Sequence, residues 1–161
     1  MHRRSYIRQL LIFSTCILLL LPCLSLAAPQ LPGAKDKCPV CGMFVAKYPE
    51  WVASLTFKDG KIELFDGVKD LLRYYHGLPR YAPKRRQADI REMRVKDYYS
   101  LAPVDAVSAW YVIGSDVLGP MGKEAVPFAM EAEARSFLTD HRGTKVLRFS
   151  GMTPEIVKGL E

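Results

Sequence analysis

The chain has 161 residues, with 23 lysines and arginines against 17 aspartates and glutamates and a formal net charge of +6. Removal of residues 1–27, the predicted export signal, leaves 20 basic residues and a mild net charge of +3 on one domain of ordinary size. The dense basic cluster at residues 84–86 has no aromatic ladder beside it, so the composition argues against a nucleic-acid-binding protein.

The N-terminus predicts export. Three arginines precede an apolar run over residues 10–26, and small residues follow, which is the pattern of a secretory signal cleaved after Ala27. An uncleaved anchor helix is the alternative, although the run is short for a span and Pro22 interrupts it. Lipid attachment at Cys23 is disfavoured because a proline precedes it. We therefore predict an exported, periplasmic protein with a possible membrane tether through an uncleaved N-terminus.

The remaining chain predicts a tether followed by alternating strands and helices. Residues 28–37 are rich in Pro, Gly and Lys and form the tether. Strand, helix and turn patterns then predict strands over 51–57 and 62–65 around a turn at 58–61, a helix over 66–77, a loop over 79–88, strands over 90–99 and 107–113, a glycine-punctuated stretch over 114–126, a helix over 127–140 and a strand over 145–149.

This order predicts an α+β domain over residues 38–161. A pattern of two strands followed by a helix occurs twice. The two helices begin near Phe65 and near Phe128, which indicates two related ββα-type units. Helices then cover one face of small antiparallel sheets. The predicted inward residues are Val68, Leu71, Leu72 and Tyr75 on the first helix and Ala132, Phe137 and Leu138 on the second.

The chemistry-bearing residues are concentrated at the start of the domain. Cys16 and Cys23 leave with the signal, so Cys38 and Cys41 are the cysteines of the mature chain. Their Cys-x-x-Cys spacing lets two sulfurs reach one ion, and Met43 adds a thioether two residues later. Thiolates and thioethers are soft ligands, which select Cu(I).

A second methionine stands in an unusual loop. Residues 119–122 read Gly-Pro-Met-Gly, which places Met121 in a rigid turn where a large apolar side chain is poorly placed for packing. We predict that Met121 is a further copper ligand, with an ordinary loop methionine as the alternative.

Two other functions remain open for the cysteine pair. Structural zinc sites use four nitrogen or sulfur ligands, whereas the mature chain adds to the pair two histidines, His76 and His141, far apart in sequence. A thiol–disulfide exchange motif follows a first strand within a βαβ unit, whereas this pair precedes every predicted strand. Both alternatives are therefore weaker than copper binding.

The segment Cys38-Pro39-Val40-Cys41-Gly42-Met43 resembles the opening of the NosL family of nitrous-oxide-reductase accessory proteins. The likeness continues at 57–61 and 65–67 and in the stretch from Ala109 to Gly122, and ends near Phe149. The resemblance implies an exported Cu(I) chaperone that supplies nitrous oxide reductase, and a fold of two related units. Members are commonly lipoproteins, and many carry a histidine where this chain has Lys123.

We therefore predict a binding and delivery protein that is not an enzyme. Cu(I) is expected to be held by Cys41, Met43 and Met121, with Cys38 as a fourth ligand or an exchange partner during transfer. The expected client is nitrous oxide reductase or its maturation machinery. A periplasmic thiol–disulfide oxidoreductase and a zinc-binding domain without a delivery role are the alternatives.

Overall fold

The structure is a computed structural model that describes residues 31–161, so the predicted signal and residues 28–30 of the predicted tether lie outside the described residues. It contains nine strands and four α-helices within that range. Their bounds are β1 Ala53–Phe57, β2 Ile62–Phe65, α1 Val68–His76, α2 Leu78–Tyr81, β3 Ile90–Lys96, β4 Pro103–Asp105, β5 Trp110–Ile113, β6 Leu118–Gly119, β7 Gly122–Lys123, β8 Val126–Phe128, α3 Glu131–Asp140, β9 Lys145–Arg148 and α4 Pro154–Lys158.

The first unit is an antiparallel sheet in the order β2-β1-β3-β4 with α1 packed on it. The β1–β2 hairpin turns through the predicted Asp-Gly pair, and Gly60 has φ +88°, a conformation that glycine adopts without steric cost. The hairpin register pairs Ala53 with Phe65. This register ends β2 where α1 is about to begin.

The second unit repeats this connectivity. Its sheet has the order β8-β5-β9, all antiparallel, and α3 connects β8 to β9. In both units two antiparallel strands precede a helix, a third strand follows it, and the first strand is central. The predicted α+β class with small antiparallel sheets and two related units is confirmed.

Strand β5 is buried on both faces and contributes to two hydrophobic clusters. Tyr111 and Ile113 join the larger cluster with β1 and α1, whereas Val112 joins Phe128 and Phe137 beneath α3. Side chains alternate along a strand, so a single strand can supply both clusters. The two units are therefore packed through β5.

On each helix, one residue that was predicted to face the core is wrong. On α1, Tyr74 is buried and Tyr75 is only partly covered, because the Tyr74 ring lies between Phe65 and Tyr81. On α3, Ala134 is buried and Ala132 is exposed, since Ala134 shares the face of Phe137 at a spacing of three.

Several short elements were not predicted. Residues 78–81, expected to be loop, form α2 with a proline near its start, where a proline is tolerated. The strand predicted over 107–113 begins only at Trp110, because Asp105 accepts the Ser108 amide in a turn. The other additions are β4, the β6–β7 hairpin and α4. In the described part of the chain, no helix has the length and apolar character needed to cross a membrane.

A loop between β3 and β4, which precedes the second unit in the chain, repeats the backbone of the cysteine loop. In residues 38–43 the Cys38 amide donates to Met43 O and the Gly42 amide donates to Cys38 O, both at 2.9 Å. In residues 97–102 the same offsets recur, because the Asp97 amide donates to Ala102 O and the Leu101 amide to Asp97 O, again at 2.9 Å. Each loop is flanked by an antiparallel bridge, and its fifth residue has a positive φ. The duplication thus extends beyond the sheets.

Candidate metal centre

The cysteine loop is a tight turn that gathers its two sulfurs. The two hydrogen bonds across residues 38–43 close it, and a bridge between Lys37 and Phe44 fixes its ends. Gly42 has φ +81°, which strongly favours glycine and which reverses the chain just after Cys41. The sequence Cys-Gly therefore builds the turn as well as the donor set.

The start of α1 brings two carboxylates against these sulfurs. Asp66 lies two residues before the helix and Asp70 lies in its first turn, and both side chains reach the cysteine loop. Cys38 Sγ donates to Asp70 Oδ2 at 3.2 Å, and Cys41 Sγ lies 3.4 Å from Asp66 Oδ1. One donor atom from each of the four residues lies within 4.8 Å of the other three, and among residues 31–161 this is the one such group of His, Cys, Asp or Glu.

Both thiols are unbridged and are held in the protonated form. Cys38 is buried and Cys41 is half-buried. Burial raises the pKa of Cys38 far above its usual range, and the neighbouring carboxylates act in the same direction. Burial, with Asp70 nearby, raises the pKa of Cys41 to about 12. A metal ion therefore has to displace protons in order to bind thiolates here.

One carboxylate oxygen of this group lacks a hydrogen bond. Asp70 Oδ1 is buried and accepts none from the described residues, and the Arg73 guanidinium lies 3.7 Å away. A buried polar atom without a hydrogen bond is unusual in folded proteins. An unpaired carboxylate oxygen beside two thiols fits a site that binds a cation.

The two predicted methionines lie in different settings. Met43 is partly buried at the end of the cysteine loop. Met121 lies at the tip of the β6–β7 hairpin, 40% exposed, and the hairpin is attached to α1 because Lys69 Nζ donates to Met121 O. The ligand roles of Cys38, Cys41, Met43 and Met121 stay predictions, with the two thiols drawn together by the fold.

Sequence reasoning missed Asp66 and Asp70. Both were within the predicted helix start, yet they lie 25 and 32 residues from their cysteine partners, so spacing alone could not connect them. An i, i+4 carboxylate pair at a helix start was the available signal. The histidines lie outside the group, since His76 contacts Met152 O and His141 contacts Asp116.

Comparison with known proteins finds relatives that are named for copper. The chain is 30% identical over 122 residues to the copper-binding lipoprotein NosL of Stutzerimonas stutzeri, covering 71% of this chain and 60% of that relative. The chain thus spans less than two thirds of the length of that relative. The crystal structure of the copper chaperone NosL from Shewanella denitrificans matches with a TM-score of 0.65 and 26% identity, over 80% of this chain and 97% of that one.

These relatives are named as copper-binding or chaperone proteins rather than as enzymes. The family model for NosL matches residues 29–157, which include both units and every residue of the candidate centre. The chain belongs to the NosL family.

Proposed function

We propose that this protein binds one Cu(I) at the Cys38–Cys41 loop and delivers it to a copper enzyme outside the cytoplasm, nitrous oxide reductase or its maturation machinery. The observation that carries the proposal is the pair of unbridged thiols gathered on one turn, in a chain whose relatives are named copper chaperones. Met43 and Met121 add thioethers, and soft sulfur donors favour Cu(I).

The geometry also suits transfer. Cys41 is half-buried and Met121 is 40% exposed, so an incoming ligand can approach these donors. Pro39 and Gly42 of the loop are exposed, and delivery requires a site that a client can reach. Export with a membrane anchor is part of the proposal, supported by the signal-like N-terminus and by the relative named as a lipoprotein.

Zinc is the second candidate because the structure adds two oxygen donors to the thiol pair. Two cysteines and two aspartates make a four-donor set, which a count of cysteines and histidines alone had missed. Four-coordinate zinc accepts carboxylate oxygen as well as sulfur. The contribution of Asp66 and Asp70 to binding therefore distinguishes a Zn(II) site, which would use their oxygens, from a Cu(I) site, which would use sulfur.

The thiol–disulfide alternative is disfavoured by the same surroundings. Exchange requires a thiolate, and reactive cysteines have a lowered pKa. Here burial raises the pKa of both thiols, and two carboxylates face them.

An anaerobic titration tests the proposal. The reduced protein competes with a chromophoric chelator for Cu(I), and a second series uses Zn(II). We expect one Cu(I) per chain, bound far more tightly than Zn(II), with at least a hundredfold loss of Cu(I) affinity in Cys41→Ser. Asp66→Asn should retain Cu(I) binding. Equal or tighter zinc binding that is lost in Asp66→Asn would assign the site to zinc.

Delivery needs its own measurement. Copper-loaded protein is mixed with copper-free nitrous oxide reductase, the two are separated, and copper is quantified in each. We expect copper to move to the reductase from the wild-type protein faster than from an equal amount of Cu(I)–chelator complex. Transfer no faster than from the chelator would leave a copper-binding protein without a delivery role.

A further inference from the structure

A buried lysine connects the helix of the metal centre to the hairpin of Met121. Lys69 is almost fully buried on α1, next to Asp70. Its ammonium donates to Met121 O at 2.7 Å, to Lys123 O at 2.9 Å and to Leu160 O at 3.2 Å. A lysine has three N–H donors, so all of them are used on backbone carbonyls. Two of these three carbonyls belong to the hairpin.

Glu124 makes the reciprocal connection from the end of the hairpin. It is buried, and its Oε1 accepts the Lys69 amide at 2.6 Å and its neighbour Ala125 N at 2.9 Å. Its Oε2 lies over Gly67, in the space that a β-carbon at residue 67 would need. The ring of Pro120 lies on the same side of Gly67. The hairpin is therefore seated directly on the start of α1, between the positions of Asp66 and Asp70.

We propose that Lys69 and Glu124 are positioning residues that hold the β6–β7 hairpin, and with it Met121, beside the thiol pair so that a third sulfur can reach the bound ion. This inference rests on the proposed copper function and on Met121 as a ligand. The hairpin is formed by the second unit, whereas the thiols and carboxylates belong to the first. The Lys69 and Glu124 contacts therefore join the two units at the metal centre.

A double-mutant cycle tests the proposal. Cu(I) affinity is measured by chelator competition for the wild type, Lys69→Leu, Met121→Leu and the double variant. We expect each single substitution to weaken binding at least tenfold and the double variant to bind no more weakly than Met121→Leu alone. Lys61→Leu, which removes a lysine from an exposed ion pair with Glu63, is the control and should leave affinity unchanged.

The outcomes separate the two levels of the argument. Full affinity in Met121→Leu would remove Met121 from the ligand set, and the positioning role with it, while the thiol site would stand. If the fold-losses of Cu(I) affinity in the two single variants multiply in the double variant, Lys69 acts independently of Met121. That result would overturn the positioning role alone.

A second variant covers the case in which Lys69→Leu does not fold. Glu124→Leu keeps most of the side-chain volume over Gly67 and removes the oxygen that accepts the Lys69 amide. Faster hydrogen exchange of the amides in residues 118–123, together with a loss of Cu(I) affinity that disappears in the Met121→Leu background, is the expected result. Unchanged exchange and affinity in folded Glu124→Leu would contradict the proposal.

Discussion

At the scale of single residues, the two carboxylates control the charge balance of metal loading. Cu(I) brings one positive charge, and binding to two thiolates releases two protons, so the centre becomes one unit more negative. Asp66 and Asp70 lie within 4.8 Å of the thiols and oppose that change. Zn(II) brings two charges for the same two protons, so the charge is unchanged.

We therefore expect Asp70→Asn to tighten Cu(I) binding at neutral pH. A change of one unit in a thiol pKa corresponds to about 1.4 kcal/mol, so a tightening of about tenfold is the expected scale. The same substitution should weaken Zn(II) binding, because it removes an oxygen donor. Chelator competition with each metal measures both effects. Weaker Cu(I) binding in Asp70→Asn would mean that the carboxylate is itself a copper ligand.

The raised thiol pKa values predict a steep pH dependence of copper affinity. The pKa of Cys41 is raised to about 12 and that of Cys38 is raised further, so both are protonated from pH 6 to 8. Each displaced proton increases the Cu(I) association constant about tenfold per pH unit. If both thiolates bind, log K rises with a slope of about 2, and Cys38→Ser lowers the slope to about 1. A wild-type slope near 1 would make Cys38 an exchange partner rather than a ligand.

At the scale of elements, the fit between the β6–β7 hairpin and the start of α1 is close. Gly67 has an extended backbone that any residue could adopt, so its importance lies in the space above it and not in its dihedral angles. Glu124 fills that space. A side chain at residue 67 must displace the carboxylate that accepts the Lys69 amide.

Gly67→Ala should accordingly destabilise the protein by about 1–3 kcal/mol, the usual cost of overpacking a filled interior. Urea unfolding followed by tryptophan fluorescence measures the change. Gly151→Ala is the matched control, since a β-carbon there meets nothing nearer than 3.4 Å, and its stability should stay close to that of the wild type. Equal stability of the two variants would show that the β6–β7 hairpin moves to accommodate the added methyl group at little cost in free energy.

At the scale of the whole molecule, the sequence predicted the parts that have local signals. Alternating strands, the Asp-Gly hairpin and the Cys-x-x-Cys turn depend on near neighbours, and each of them was found. The partners of the cysteines, Asp66 and Asp70, come from a helix far along the chain and could be located only once the sheet was formed. Likewise, the inward choice of Tyr74 over Tyr75 depends on rings contributed by β2 and α2.

The two copies of the repeated loop carry different side chains at their first position. The first copy has Cys38, a candidate metal ligand, and the second copy has Asp97, whose hydrogen bonds stabilise the fold. Asp97 is buried, and its carboxylate accepts from Ser100 N, Ser100 Oγ and Ala129 N at 2.7–2.8 Å. Burial alone would raise the pKa of Asp97, but these hydrogen bonds hold it below its usual value. Asp97 thus stabilises the fold above its unfolded pKa, and that stabilisation is lost as the pH falls through the folded pKa.

We expect Asp97→Asn to lower the free energy of unfolding by about 1–3 kcal/mol near pH 7, since it leaves a buried donor poorly paired. Cu(I) affinity should be unchanged, in contrast to Cys38→Ser, which should lose affinity with little loss of stability. Denaturant unfolding and chelator competition on the same two variants measure the contrast. Loss of copper binding in folded Asp97→Asn would show that the two loops are coupled.

The two loops also indicate how the duplicated units diverged and how many copper ions one molecule carries. After an ancestral duplication, the first copy has sulfur at its first and fourth positions, as Cys38 and Cys41, and the second has oxygen there, as Asp97 and Ser100. The second copy uses its oxygens to secure its own backbone and has no thiol for a soft ion. Under the proposed function, each molecule therefore carries a single ion per encounter. A client centre that contains several copper ions would be filled by successive binding events. The rate of filling would then depend on how quickly the chaperone is reloaded with copper.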